Sequence, residues 1–236
     1  MLGVLGGMGP LATVDFMEKV IANTPAGRDQ DHLQMIICSA TEVPDRTEAI
    51  IGQGADPLPA MLEALRRLHV SGASCVAIPC NTAHHWYDAL QAEAQIPILH
   101  IVDAVVEDLR RRGIVDGRIG LLATTGTVRA AIYQRRLPSN YSCVVPAAQD
   151  EVMRGIRHVK AGRIDDAAGA LTRQAEDLLS SGCSAVALAC TEIPIALAQA
   201  GSDLRPHLID ATDALARACI ARLKPGAPRM VSGRAA

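Results

Sequence analysis

Aromatic side chains are scarce in this chain of 236 residues, which has one Phe, one Trp and three Tyr. Proteins that bind single-stranded nucleic acid stack bases on aromatic rings, so this mode of binding is disfavoured. Net charge is also small, at −2 from 23 basic and 25 acidic residues. Without a strong field of one sign, the sequence argues against nucleic acid or an anionic membrane as a partner.

Long apolar runs are missing as well. No run approaches the about 18 residues that a membrane-spanning helix needs, so we expect a soluble protein. The apolar segment 1–14 has no basic region and leads directly into the charged segment 15–19, which is not the pattern of a signal peptide. Seven cysteines without such a leader predict free thiols rather than a disulfide framework, and therefore a location in the reducing cytoplasm.

Short apolar runs alternate with amphipathic stretches along the chain, and this rhythm predicts an α/β fold with parallel sheets. The runs typical of buried strands are 2–5, 33–38, 75–78, 119–122, 141–145 and 185–188. The stretches with helical spacing are 12–22, 57–68, 83–94, 102–112, 166–180 and 211–223. Residues 39–54 have no clear period and are expected to form a functional loop, whereas 225–236 is expected to be a frayed tail.

Part of the sequence is repeated. Residues 71–80 (SGASCVAIPC) align with residues 181–190 (SGCSAVALAC), so that Cys190 follows Cys80 by 110 residues. A weaker match sets residues 3–9 against residues 120–126. Because the two correspondences occur in the same order, we predict two similar α/β halves.

Each repeat ends in a cysteine that polar residues follow, as Cys80-Asn81-Thr82 and Cys190-Thr191-Glu192. Ligands of parallel sheets bind beyond the carboxyl ends of strands, and a helix that starts there raises the thiolate fraction of a nearby cysteine. Two thiols that face one cleft suit the inversion of a stereocentre, because one thiolate can remove a proton while the other thiol delivers one to the opposite face. The other five cysteines are interpreted as core residues.

Six motifs then occur in order: 6–10 (GGMGP), 29–32 (DQDH), 44–47 (PDRT), 79–84 (PCNTAH), 121–127 (LLATTGT) and 190–192 (CTE). With them the chain resembles the aspartate/glutamate racemase family over residues 2–223, and its aspartate racemase branch in particular. The resemblance implies a cofactor-independent, two-cysteine racemase of aspartate that forms a homodimer. It further implies two pseudo-symmetric Rossmann-like (flavodoxin-like) three-layer domains with the active site between them.

The resemblance also implies roles for particular residues. Cys80 and Cys190 correspond to the acid/base pair, with Cys80 acting on the D-enantiomer and Cys190 on the L-enantiomer. Arg46 corresponds to an arginine that meets the side-chain carboxylate, as its bidentate fork allows, and Lys160 to a lysine near the active site. Further substrate contacts are expected from Met8, Gly9, Asn81, Thr82, Thr124, Thr127, Thr191 and Glu192. We expect one domain of residues 1–100 with 210–236, a second of residues 101–209, and no metal or cofactor.

Other functions stay open at this point. The substrate could be glutamate or a broader range of amino acids, and related reactions are isomerisation or decarboxylation of small dicarboxylates. A non-catalytic amino-acid-binding module is a further alternative. Residues 7–12 match a loose dinucleotide fingerprint, but no acidic strand end follows about 20 residues on. Cys80 and His84 have the spacing of zinc ligands on one helix face, but no Cys-x-x-Cys pair supports such a site.

Overall fold

The computed structural model describes residues 1–198, 201 and 203–225. The predicted frayed tail therefore lies outside the described residues, apart from Pro225. Within the described residues the chain forms two four-stranded sheets, and every strand pair is parallel. The predicted α/β fold with parallel sheets is confirmed.

The first sheet has the strand order β2-β1-β3-β4. Its strands are β1 (Leu2–Gly6), β2 (Met35–Ser39), β3 (Cys75–Ala77) and β4 (Ile98–Leu99). Leu2 lies opposite both Met35 and Cys75, so β1 is one of the two inner strands of the sheet. We call the part of the chain that carries this sheet, residues 2–99, the first half.

The second sheet repeats the same order, as β6-β5-β7-β8. Its strands are β5 (Gly117–Ala123), β6 (Tyr141–Val144), β7 (Ala185–Ala189) and β8 (Leu208–Asp210). We call residues 117–210 the second half. The shared order is that of flavodoxin-like folds and confirms the two pseudo-symmetric units, whereas the exact domain bounds of 1–100 with 210–236 and 101–209 stay a prediction.

Helices connect the strands and cover both faces of the sheets. They are α1 (Pro10–Asn23), α2 (Arg46–Ile50), α3 (Leu58–Val70), α4 (Tyr87–Glu93), α5 (Ile101–Arg111), α6 (Thr125–Arg129), α7 (Ile132–Arg136), α8 (Gln149–Lys160), α9 (Ile164–Ser180), α10 (Ile193–Ala196) and α11 (Ala211–Leu223). Short 3₁₀ turns lie at Asp29–Asp31, Thr82–Trp86 and Arg205–His207. No helix among the described residues has the length and apolarity needed to cross a bilayer.

One apolar cluster joins the two halves. It contains residues of β1 and β5, such as Leu2 and Leu121, together with side chains of α5 and α11, such as Val105 and Leu215. Two further clusters lie on the other faces of the sheets, beneath α3 in the first half and beneath α8 and α9 in the second. Each sheet is thus a layer between helices, as the three-layer prediction requires.

The predicted strands agree with the observed ones to within two residues, but several shorter elements are not among the predictions. Strands β4 and β8 contain two and three residues, too few to show a period. The predicted loop 39–54 contains helix α2. The predicted helix 83–94 is a 3₁₀ turn followed by α4. Helices α6, α7, α8 and α10 were not predicted.

Candidate active site

A cleft opens where the central strands of both sheets end. Met8 follows β1, Cys80 follows β3, Thr124 follows β5 and Cys190 follows β7. Because strands in a parallel sheet point the same way, the residues after them share one edge, and the two edges face each other here. The residues that line the cleft are Met8, Asp45, Arg46, Thr47, Cys80, Asn81, Thr82, Thr124, Lys160, Cys190, Thr191 and Glu192.

Cys80 is buried and its backbone is held by a histidine. The Nδ1 atom of His84 lies 2.9 Å from the Cys80 carbonyl, and the Ile101 N–H donates to His84 Nε2 at 3.1 Å. A carbonyl can only accept and an N–H can only donate, so His84 is neutral with its proton on Nδ1. Burial lowers the pKa of His84 to about 4, in agreement with this state. Both ring nitrogens are occupied, which excludes His84 as a zinc ligand.

Cys190 has a different partner, a carboxylate. Its Sγ donates to Glu192 Oε2 at 3.0 Å, and the Thr191 hydroxyl donates to the same oxygen at 3.3 Å. Burial raises the pKa of the Cys190 thiol well above its usual value, and the negative charge of Glu192 raises it further. The thiol of Cys190 is therefore protonated in this arrangement and points its proton at Glu192.

Three threonine hydroxyls link the halves beneath the cleft. Thr82 Oγ1 lies 2.9 Å from Thr124 Oγ1 and 3.0 Å from Thr127 Oγ1, and the last two are 3.0 Å apart. Thr124 also caps α6 by accepting from the Thr127 N–H. Thr127 is fully buried and lies behind the residues that line the cleft, so its part is to position Thr82 and Thr124.

Asn81 brings an amide to the same place. Its Oδ1 accepts a hydrogen bond from the Tyr133 hydroxyl of α7 at 2.7 Å, across the two halves. This contact orients the amide so that Nδ2 is the remaining polar atom. Nδ2 is buried and has no partner among the described residues. A buried donor without a partner is costly, so Nδ2 is a donor available to a ligand.

Arg46 lies at the start of α2 and is nine-tenths buried. Its Nη1 donates to the carbonyls of Val43 and Pro44 at 3.2 and 3.1 Å, and Nη2 donates to the Met8 carbonyl at 3.2 Å. Nε is buried without a partner in the described part of the chain. Three carbonyls thus fix the guanidinium, while Nε–H and one Nη2–H are left for a ligand.

Asp45 and Lys160 place opposite charges in the cleft. Asp45 caps α2 by accepting from the N–H groups of Thr47 and Glu48 at 2.7 and 3.0 Å. Burial raises the pKa of Asp45, but these hydrogen bonds and the charge of Lys160 outweigh it and lower the pKa. Burial likewise lowers the pKa of Lys160, but the negative charges of Glu192 and Asp45 outweigh it and raise the pKa. Lys160 is therefore a stable cation beside both thiols.

The structure brings the predicted site residues together, and all but two of them line the cleft. Thr127 lies behind the residues that line it. Gly9 lies at the border of the cleft, where a Cβ on Gly9 would be 3.4 Å from Glu192 Oε1. Three further residues belong to the site without being predicted from the sequence: Asp45 and Thr47 line the cleft, and Tyr133 orients Asn81. Asp45 with Glu48 three residues later matches the pattern of a helix N-terminus, which could have revealed α2. Among the described residues no cluster of three or more His, Cys, Asp and Glu could hold a metal.

Comparison with known proteins agrees with this architecture. The sequence pattern of the Asp/Glu/hydantoin racemase family matches residues 5–219. The aspartate racemase of Picrophilus torridus is 32% identical, with a TM-score of 0.78 over 94% of this chain and 93% of its own. A broad specificity amino-acid racemase of Bacillus subtilis is 28% identical over 229 residues, 93% of this chain and 96% of its own.

A more distant structure shares the fold. The glutamate racemase of Campylobacter jejuni is 22% identical, with a TM-score of 0.67 over 97% of this chain and 87% of its own. The family match covers nearly the whole chain and confirms the resemblance that the six motifs indicate. The chain therefore belongs to the Asp/Glu/hydantoin racemase family and is an isomerase of the racemase type.

Proposed function

We propose that the protein interconverts L- and D-aspartate without a cofactor, with Cys80 and Cys190 as the acid/base pair. One observation carries this proposal: two thiols from opposite halves line a single cleft together with two cations, Arg46 and Lys160. A guanidinium and an ammonium favour a substrate with a side-chain carboxylate in addition to its α-carboxylate. The two thiols favour proton transfer on opposite faces of the carbon between them.

The protonation of the thiols gives the order of events. Cys190 donates to Glu192, so it starts as the acid, and Cys80 starts as the base. The Cα–H bond breaks as an S–H bond forms on Cys80. The S–H bond of Cys190 then breaks as a new C–H bond forms on the other face. The product is the opposite enantiomer, and the two cysteines have exchanged protonation states for the reverse reaction.

The remaining donors have roles in holding the substrate. Nε–H and the free Nη2–H of Arg46 are the two donors that a side-chain carboxylate needs for a bidentate contact, with Lys160 as a second cation. Nδ2 of Asn81 and the hydroxyls of Thr82, Thr124 and Thr191 serve the α-carboxylate and amino group. Met8, Gly9 and Glu192 complete the proposed substrate contacts. The pairing of Cys80 with the D-enantiomer and Cys190 with the L-enantiomer stays a prediction.

A racemase of glutamate or of many amino acids is the second candidate, because the Bacillus subtilis relative has broad specificity. The hydrogen bonds of Arg46 to three carbonyls argue against broad specificity, since an anchored guanidinium suits one side-chain length. The similarity to the aspartate racemase of Picrophilus torridus favours aspartate over glutamate. Decarboxylation of a dicarboxylate needs one proton donor and leaves the second thiol without use. A homodimer, a cytoplasmic location and the absence of nucleic-acid and membrane partners stay predictions.

A panel of L- and D-amino acids in D₂O, followed by proton NMR, tests the substrate. We expect the Cα proton of both aspartate enantiomers to exchange at least tenfold faster than that of glutamate, alanine or lysine. Comparable exchange of alanine contradicts the acidic substrate class and supports broad specificity. Binding of aspartate without exchange at Cα supports the non-catalytic module. Conversion of maleate without an amino acid supports the dicarboxylate isomerase.

A further inference from the structure

The backbone conformation of Gly126 does not require glycine. Gly126 is the second residue of α6, its φ is not positive, and alanine is a better helix former. A Cβ at this position would lie 2.8 Å from Thr47 Oγ1, 2.9 Å from Thr47 Cα and 3.1 Å from Thr82 Cγ2. Distances below 3.0 Å are shorter than any real Cβ contact, so the missing side chain permits the close approach of another element.

The element that approaches is α2. Helix α2 belongs to the first half and α6 to the second, so this contact closes the cleft from one side. Thr47 follows Arg46 directly, and two of the three carbonyls that fix Arg46 belong to the same segment, at Val43 and Pro44. A displacement of Thr47 away from α6 therefore carries the guanidinium with it.

We propose that Gly126 is a positioning residue that sets how close Arg46 lies to the two thiols. This inference rests on the proposed function for the role of Arg46 toward the substrate. Any Cβ at position 126 requires α2 to retreat by about half an ångström before its contact with Thr47 Cα is ordinary. The retreat moves Arg46 outward and lengthens the distance to a short side-chain carboxylate.

The tight contact is specific to this half. Gly9 is the counterpart of Gly126 in the weaker sequence repeat, and it occupies the same place after the first strand of its half. A Cβ on Gly9 would meet one described atom within 4 Å, Glu192 Oε1, at the ordinary distance of 3.4 Å. The need for glycine therefore follows from the docking of α2 and not from the repeated architecture.

The test is hydrogen exchange of the α2 amides in Gly126→Ala, with Gly169→Ala as the matched control. Gly169 is also a helical glycine without positive φ, and its Cβ would lie 3.6 Å from Arg173 Nη1, with nothing nearer. We expect exchange of residues 46–50 to be at least tenfold faster in Gly126→Ala and unchanged in Gly169→Ala. We expect kcat/KM for aspartate to fall about tenfold in Gly126→Ala. Equal exchange in wild type and Gly126→Ala overturns the inference.

A second variant, together with a readout that needs no substrate, distinguishes the positioning role of Gly126 from the proposed racemase function. The double variant Thr47→Ala/Gly126→Ala lacks the Thr47 Oγ1 atom that would lie 2.8 Å from the new Cβ. We therefore expect its α2 amides to exchange faster than those of wild type and more slowly than those of Gly126→Ala. If the single variant does not fold, the double variant must still exchange faster than wild type; equal exchange overturns the inference. Hydrogen exchange needs no substrate. An inactive wild type with faster exchange in Gly126→Ala therefore contradicts the proposed function and supports the positioning role.

Discussion

The thiol of Cys190 donates a hydrogen bond at 3.0 Å to the carboxylate of Glu192, which is two residues further along the chain. Cys80 occupies the equivalent position in the repeat, but Thr82 stands where Glu192 stands in the second half. Thr82 reaches across to Thr124 and Thr127 instead. The two thiols of a pseudo-symmetric site thus have different electrostatic surroundings, and the resting protonation of the pair is biased toward a neutral Cys190.

Glu192→Gln is expected to lower the pKa of Cys190. An amide carries no charge, so the variant removes the like-charge repulsion that disfavours the thiolate. The measurement is the pH dependence of Cys190 alkylation, resolved from Cys80 by mass spectrometry. Glu107→Gln on the exposed face of α5 is the control and should leave the profile unchanged. An unchanged profile in Glu192→Gln contradicts the role given to this carboxylate.

Arg46→Lys is expected to raise KM for aspartate at least tenfold with a smaller change in kcat. A lysine cannot donate to the three carbonyls and also make a bidentate contact with a carboxylate. Because a hydrogen bond to a charged group contributes roughly 1.5–3 kcal/mol, we expect substrate binding to weaken. Steady-state kinetics with L-aspartate measure the effect. Arg66→Lys on the surface of α3, paired with Glu63, is the control. A KM within twofold of wild type means that Arg46 does not bind the substrate.

His84→Gln is expected to weaken the pH dependence of stability between pH 7 and pH 5. The pKa of His84 is about 4 in the fold and about 6.5 in the unfolded chain. Between these values the unfolded state binds the additional proton, so stability falls as pH falls. At pH 5 the loss due to His84 is about 2 kcal/mol. Urea unfolding at both pH values measures the difference; equal pH dependence in variant and wild type contradicts a buried, neutral His84.

The halves and the two thiols could be predicted because their signals are local. The strand that precedes each of the two thiols is a buried apolar run, and the repeat of ten residues places Cys80 and Cys190 at equivalent strand ends. Arg46 is predicted from the family resemblance, through the motif at residues 44–47, although the stretch around it has no clear period. These predictions needed no knowledge of which distant residues touch.

The rest of the site depends on contacts between residues that are distant in sequence, and local sequence patterns do not reveal such contacts. Tyr133 orients Asn81 from 52 residues away, and the burial of Thr127 follows from the meeting of the two halves. Pro44, Gly52 and Gly54 are typical of loops and argue against a helix in this stretch, although Asp45 caps the five-residue helix α2. Helix α8 does carry Val152, Ile156 and Val159 on one buried face, but polar neighbours obscured that spacing.

The central claim is that Cys80 and Cys190 act on opposite faces of one carbon. Circular dichroism of L- and D-aspartate with Cys80→Ala and Cys190→Ala tests it most directly, with proton NMR in D₂O alongside. We predict that neither variant racemises either enantiomer, while each exchanges the α-proton of at most one enantiomer with solvent deuterium and retains its configuration. Full racemisation by either single variant would contradict the two-thiol mechanism.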